Sequence, residues 1–157
     1  YSYLAYQKRQ QQIKKVLFPR LTAKEIKWIE VQYEMFMALS WDFTPVLIHS
    51  DFSHSHIFVD AKKGVVSGLI DFADVEIGDP ARDFGVIWEY GETFVKAMLK
   101  HYNGRTDRDF IERSKFPNRY YPVNEMLEVL VNPNMHWSLS FDKSRAELKR
   151  TMKKNPL

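Results

Sequence analysis

A polar island stands between Val46 and Asp60, VLIHSDFSHSHIFVD. It gathers His49, His54 and His56 with Asp51 and three serines, between two short apolar runs. Three chemistries suit these residue types. As a turn, Asp, Ser and His side chains hydrogen-bond to nearby backbone. As a metal cluster, the three histidines would hold zinc. Strands at 47–49 and 56–58 do not force three imidazoles to converge, however, and no fourth ligand stands at a zinc spacing. As half of a two-carboxylate site, Asp51 would act with Asp71, which lies fifteen residues after His56 at the end of the next apolar run. Phosphoryl transfer from a nucleotide needs such a pair: one carboxylate takes the acceptor hydroxyl's proton, and the other holds the divalent metal that bridges the phosphates. That chemistry is mostly positioning and charge neutralisation, so both groups must stand on rigid elements.

The elements that would position them follow from periodicity. Residues 1–18 carry a thin apolar stripe at Leu4, Ile13, Val16 and Leu17, a helix ended by Pro19. Thr22 and Glu25 form a capping-box pattern that opens a second helix over 23–39. The period then changes. Val46–Ile48 reads as a short strand, and 56–60 with 65–71 as a hairpin around the turn A-K-K-G. Gly78-Asp79-Pro80 reads as a loop, with Asp74 and Asp79 as loop carboxylates in capping or turn roles. Helices are expected at 81–90, 92–102, 107–115, 120–131 and 141–153, with Asn103-Gly104 as a stop and Pro122 in a first turn. The fold class is mainly α with a small β-hairpin.

Composition narrows the function classes. The 157 residues, 45% hydrophobic and 15% aromatic, can bury a real core as one domain or as a piece of a larger one. No cysteine is present, which removes disulfides and thiolate metal sites and suits a reducing, cytoplasmic setting. No apolar run nears the ~20 residues of a membrane span, and the start has no signal-peptide pattern. Because the first residue is Tyr1 rather than Met, the natural N-terminus is expected to lie upstream. The net charge of +3 is mild, and the lysines of 149–154 read as a solvated helix end rather than a nucleic-acid patch.

Three blocks in order, H-S-D-F-S-H-S-H, G-L-I-D-F-A-D and G-D-P-A-R-D-F, resemble the antibiotic phosphotransferase family of aminoglycoside and macrolide kinases. That family is a branch of the protein-kinase-like fold, with the pattern H-G-D-x-x-x-x-N/H, a hairpin, I-D-[FW]-x-[DE]-A and D-P-x-x-D-[FL]. The match runs from about Val46 to Phe84, and the downstream helices resemble the family's substrate lobe more loosely. The resemblance implies Asp51 as catalytic base and Asp71 as the principal metal carboxylate. His56 falls on the metal-binding Asn/His position, His49 braces the loop, and Asp83 ties the loop to the following helix. It also implies Mg²⁺ or another divalent ion, ATP or GTP as donor, and a small-molecule hydroxyl as acceptor. Ser50 departs from the family's Gly, which asks either for an ordinary backbone there or for a strained one if the geometry is kept. His56 leaves its mode open: direct ligation, or action through water or a hydrogen bond.

A kinase of this family has a β-rich nucleotide lobe before its catalytic loop. Here only 50 residues precede Asp51, they read as two helices, and all six glycines follow the loop's start. The chain is therefore read as the C-terminal helical lobe alone, residues 1–157, with the catalytic loop at 46–60, the metal-binding segment at 65–84 and substrate-side helices at 84–154. The nucleotide lobe would be its natural packing partner, and the fragment alone should be inactive. Trp88, Glu89, Tyr90 and Glu92 follow Asp83 and are candidates to line the acceptor pocket, with core packing an equal reading of Trp88. Residues 84–131 hold seven acidic and seven basic side chains, so charge does not choose between a polycationic aminoglycoside, an apolar macrolide and an endogenous hydroxylated metabolite. The alternative class is a non-catalytic kinase-like binding or scaffold module, with neither nucleic acid nor membrane expected as a partner in either case.

Overall fold

The computed structural model describes residues 3–134 and 140–157. The expected helical chain with a small β-element is found, arranged as two compact units: Tyr1–Leu39 with Arg119–Leu157, and Ser40–Asn118. The first two residues of the first expected helix, and 135–139 within the substrate-side segment, lie outside the described residues.

The first unit is helical. It comprises α1 (Tyr3–Val16), α2 (Ala23–Met37), the later part of α4 (Phe110–Val131) and α5 (Phe141–Lys154). Its core is Ile13, Leu17, Trp28, Ile29, Phe36, Tyr120, Val123, Met126, Leu127 and Leu148, all nearly inaccessible to solvent. Two of its buried aromatic side chains place their polar atoms on partners. The Trp28 indole donates to the Asn155 carbonyl at 2.8 Å, and the Tyr120 hydroxyl to Gln10 Oε1 at 2.6 Å. The capping box at the start of α2 forms as expected: Glu25 N–H donates to Thr22 Oγ1 and Thr22 N–H to Glu25 Oε2. Glu25 also receives a two-pronged bond from Arg145 at 2.7 and 2.9 Å. Arg145's hydrogen bonds, with Thr22's, outweigh burial and hold the Glu25 carboxyl down at about 2.

The second unit carries two small antiparallel sheets. In one, β1 (Val46–Ile48) pairs with β4 (Glu76–Gly78), with Ile48 opposite Glu76. In the other, β2 (Ile57–Asp60) pairs with β3 (Val65–Leu69) through a bulge after Phe58. The A-K-K-G turn closes this hairpin because Asp60 Oδ1 accepts the N–H groups of Lys62 and Lys63, while Gly64 takes φ +64 without a Cβ penalty. The unit's core is Ala81, Phe84, Ile87, Val95 and Phe110, with α3 (Glu92–Leu99) against it.

Several elements differ from the sequence reading, each for a local reason. Residues 76–78, of which only Gly78 is read as loop, form β4 and give β1 its partner; three residues are too few to show a period. The expected strand 65–71 stops at Leu69 because Asp71 turns to φ +66. His56 precedes its strand, in the short 3₁₀ turn His54–His56. The helix expected over 81–90 is two 3₁₀ turns, Pro80–Arg82 and Val86–Tyr90. Their three-residue repeat puts Ala81, Phe84 and Ile87 on one buried side, which an α-helix would spread around its axis. Helix 92–102 is shorter, ending at Leu99. The two helices expected at 107–115 and 120–131 are one, α4, with Pro117 and Pro122 in its interior rather than Pro122 in a first turn. An interior proline costs about 3 kcal/mol. Burial of Phe110, Phe116, Tyr120, Val123, Met126 and Leu127 along this helix, at roughly 1.5–3 kcal/mol per large apolar side chain, outweighs it.

Arg113 of α4 is the largest charge buried in this unit, with its side chain 1% exposed. It bonds Asp79 at 2.6 and 3.2 Å, Asp107 at 2.6 and 2.7 Å, and the Ser40 carbonyl at 2.8 Å, and lies over the Phe43 ring. Burial would lower its pKa; the two carboxylates more than reverse this and raise it. Asp79 also caps the 3₁₀ turn through the Ala81 N–H, so one carboxylate joins that turn to α4.

Candidate active site

Asp51 sits in the loop between β1 and the 54–56 turn, and Asp71 just past the end of β3. The β2–β3 hairpin returns the chain so that the two carboxylates flank His56. His56 Nδ1 lies 3.9 Å from Asp51 Oδ2, and Nε2 lies 3.7 Å from Asp71 Oδ2. One ligand atom from each of the three lies within 4.8 Å of the others. The carboxylates are 55% and 51% exposed, open to a ligand, whereas the imidazole is 16% exposed and fixed.

The fixing bond decides the imidazole's tautomer. His56 Nδ1 stands 2.8 Å from the Asp51 carbonyl oxygen, which can only accept. Nδ1 therefore carries a proton, and Nε2 is the nitrogen that faces Asp71. A histidine that donates one ring N–H to a backbone carbonyl and presents the other nitrogen bare is disposed as metal-bound histidines are. Two carboxylate oxygens and one imidazole nitrogen suit a divalent cation.

A second layer holds the loop. Asp83 Oδ2 accepts the His49 N–H at 2.8 Å, and Oδ1 the Ser50 N–H at 2.9 Å. His49 is buried, stacks on His56 and packs on Phe72, and its Nε2 donates to the Ile70 carbonyl at 2.9 Å. One imidazole thus spans the residues next to both carboxylates. Ser50 resolves the alternatives left by its departure from glycine: it takes φ +66, the left-handed conformation, despite its Cβ. Its hydroxyl donates to Glu76 Oε1 at 2.8 Å, and Arg82 Nη1 bonds the same oxygen at 2.8 Å.

The four residues considered for the acceptor side fall in different settings. Trp88 packs against the core, its indole bonded to the buried Ser114 hydroxyl at 2.9 Å, with Lys115 over its ring. Glu89 is exposed and its Oε2 lies 3.8 Å from His54 Nδ1, which brings it to the segment that follows Asp51. Tyr90 is exposed beside Phe94, and Glu92 pairs with Lys96 along α3 at 2.8 Å. Sequence reasoning missed Glu76 and Arg82. The one available signal was the Ser in place of Gly, since a side chain at that position must point somewhere.

Two carboxylates and a histidine that a hairpin brings together suit metal-assisted transfer of a phosphoryl group. Residues 2–112 match the model of the phosphotransferase enzyme family (APH), and the chain belongs to that family. Among solved structures it is similar to the GDP complex of wild-type aminoglycoside 2'-phosphotransferase-IIIa, with a TM-score of 0.81 and 21% identity over 98% of this chain and 53% of that one. It is also similar to macrolide 2'-phosphotransferase type I, with a TM-score of 0.71 and 21% identity over 92% and 48%. A protein of Bacillus subtilis (strain 168), uncharacterized protein YcbJ, is 35% identical over 88 residues, which are 53% of this chain and 28% of that protein. The chain thus spans about half the length of the solved structures and less of YcbJ. Among the described residues, no helix is long and apolar enough to cross a membrane.

Proposed function

We propose that this chain is the C-terminal helical lobe of a cytoplasmic, ATP- or GTP-dependent O-phosphotransferase acting on a small hydroxylated molecule of the aminoglycoside or macrolide type. The observation that carries the reading is the juxtaposition of Asp51, His56 and Asp71, with His56 Nε2 turned to Asp71. Asp51 takes the acceptor hydroxyl's proton as its oxygen forms a bond to the γ-phosphorus. The bond from that phosphorus to the bridging oxygen breaks, and the nucleoside diphosphate leaves. Asp71 and His56 would hold Mg²⁺ or another divalent ion, which when bound neutralises phosphate charge. His49 and Asp83 brace the loop through the backbone just before each of the two carboxylates. Trp88, Glu89, Tyr90 and Glu92 form the acceptor side, with Glu89 nearest the loop.

The partner in the whole protein is a nucleotide lobe, placed over the two small sheets. That proposal is supported by the exposure of Leu47, Phe58, Val59, Val66 and Ile77 on those strands and by the half-length match to the solved relatives. The experiment is a transfer assay of the full-length protein with ATP and GTP against aminoglycosides, macrolides and a panel of hydroxylated metabolites. One acceptor class should be phosphorylated in a metal-dependent way, and D71N should abolish the metal dependence along with the transfer. Absence of transfer to every class, by a folded protein that binds nucleotide, would overturn the reading.

A further inference from the structure

We infer that Glu76, acting through the Ser50 hydroxyl, is a positioning residue for the Asp51 carboxylate; the inference rests on the phosphotransferase reading of Asp51. A residue with a Cβ at φ +66 is strained and persists where its surroundings over-determine it. Asp83 supplies part of that constraint, but only on the N-terminal side: its oxygens take the N–H groups of residues 49 and 50. The peptide that leads from Ser50 into Asp51 is outside its grip. The Ser50 side chain supplies the other half. Its hydroxyl donates to Glu76 Oε1 at 2.8 Å and fixes the Cα from which Asp51 departs.

Glu76 is itself well anchored. It lies on β4 directly opposite Ile48, two residues before Ser50, so the strand pairing delivers its carboxylate to the loop. Arg82 Nη1 bonds the same oxygen at 2.8 Å, which compensates the charge and holds the side chain, at 33% exposure, in one arrangement. Arg82 and Asp83 are consecutive residues of the chain. The loop's amides and its hydroxyl are thus both referred to the segment 82–83, one directly and one through Glu76. A base whose supporting bond is lost stays present but misplaced, and a misplacement of about 1 Å can cost up to about a hundredfold in rate.

The test is a steady-state series on the full-length protein with its acceptor and nucleotide. S50A and E76A should each lower kcat by about ten- to a hundredfold while both KM values stay within about twofold. The double variant should be no slower than the worse single one, because both variants break the same Ser50–Glu76 bond. E76Q, which keeps an acceptor oxygen and the strand's side-chain volume, should recover kcat to within a few-fold and so separates positioning from folding. S50G relieves the backbone strain but lacks the hydroxyl, and should be as slow as S50A. Wild-type kcat in S50G, or additive losses in the double variant, would overturn the inference. D51N, run alongside, keeps the two ideas apart. Loss in D51N with wild-type rates in S50A and E76A sinks the positioning role alone, whereas a fully active D51N sinks the phosphotransferase reading itself.

Discussion

His56 shows how one hydrogen bond assigns chemistry to a side chain. Its bond to the Asp51 carbonyl puts the proton on Nδ1 and leaves Nε2 facing Asp71. Imidazole favours softer divalent ions than Mg²⁺, which prefers oxygen. H56N in the full-length protein should therefore shift the ratio of Mn²⁺- to Mg²⁺-supported transfer toward Mg²⁺ by several-fold; an unchanged ratio in metal-titrated assays would show that His56 does not touch the ion. Glu25 makes a prediction about acid stability. Its folded value of about 2 lies below its ordinary value of 4.5. A depressed carboxylate contributes stability above its unfolded pKa, and that contribution is lost as pH falls through the window from about 4.5 to 2. At neutral pH the contribution is at most about 3 kcal/mol. E25Q should thus be less stable than wild type at pH 7, and the gap should close below pH 3 in denaturant titrations.

At the scale of elements, Arg113 ties the 3₁₀ turn after Asp79 to α4 and to the chain at Ser40. R113M removes the cation and leaves Asp79 and Asp107 as close, partly buried carboxylates, 13% and 17% exposed. The expected cost is about 3–5 kcal/mol, read as a lowered denaturation midpoint; a loss under about 1 kcal/mol would mean that water replaces the guanidinium without penalty. Much of this level was legible in the letters. The Thr22–Glu25 box, the A-K-K-G turn, and helices α1, α2 and α5 follow from strong local signals of capping, turn chemistry and period. What was not legible depended on partners distant in sequence. β4 exists because β1 lies beside it. The 3₁₀ turns exist because Ala81, Phe84 and Ile87 share one core, and α4 runs through two prolines because its buried side chains outweigh them. In the site, Asp51, His56 and Asp71 could be picked out by type and spacing, whereas the Ser50–Glu76–Arg82 link needed the β1–β4 register.

Across the whole molecule, the unit Ser40–Asn118 contains every side chain assigned to the chemistry, while the other unit is a helical body with its own core and its own ion pairs. The proposed phosphoryl transfer stands on residues within one compact unit. The most direct test of that assignment is transfer of the γ-phosphoryl group from labelled nucleotide by the full-length protein and its D51N variant, measured in single turnover beside nucleotide affinity. D51N should transfer about 10²–10⁴-fold more slowly while binding nucleotide within a few-fold of wild type. A D51N protein that transfers at the wild-type rate would contradict the account.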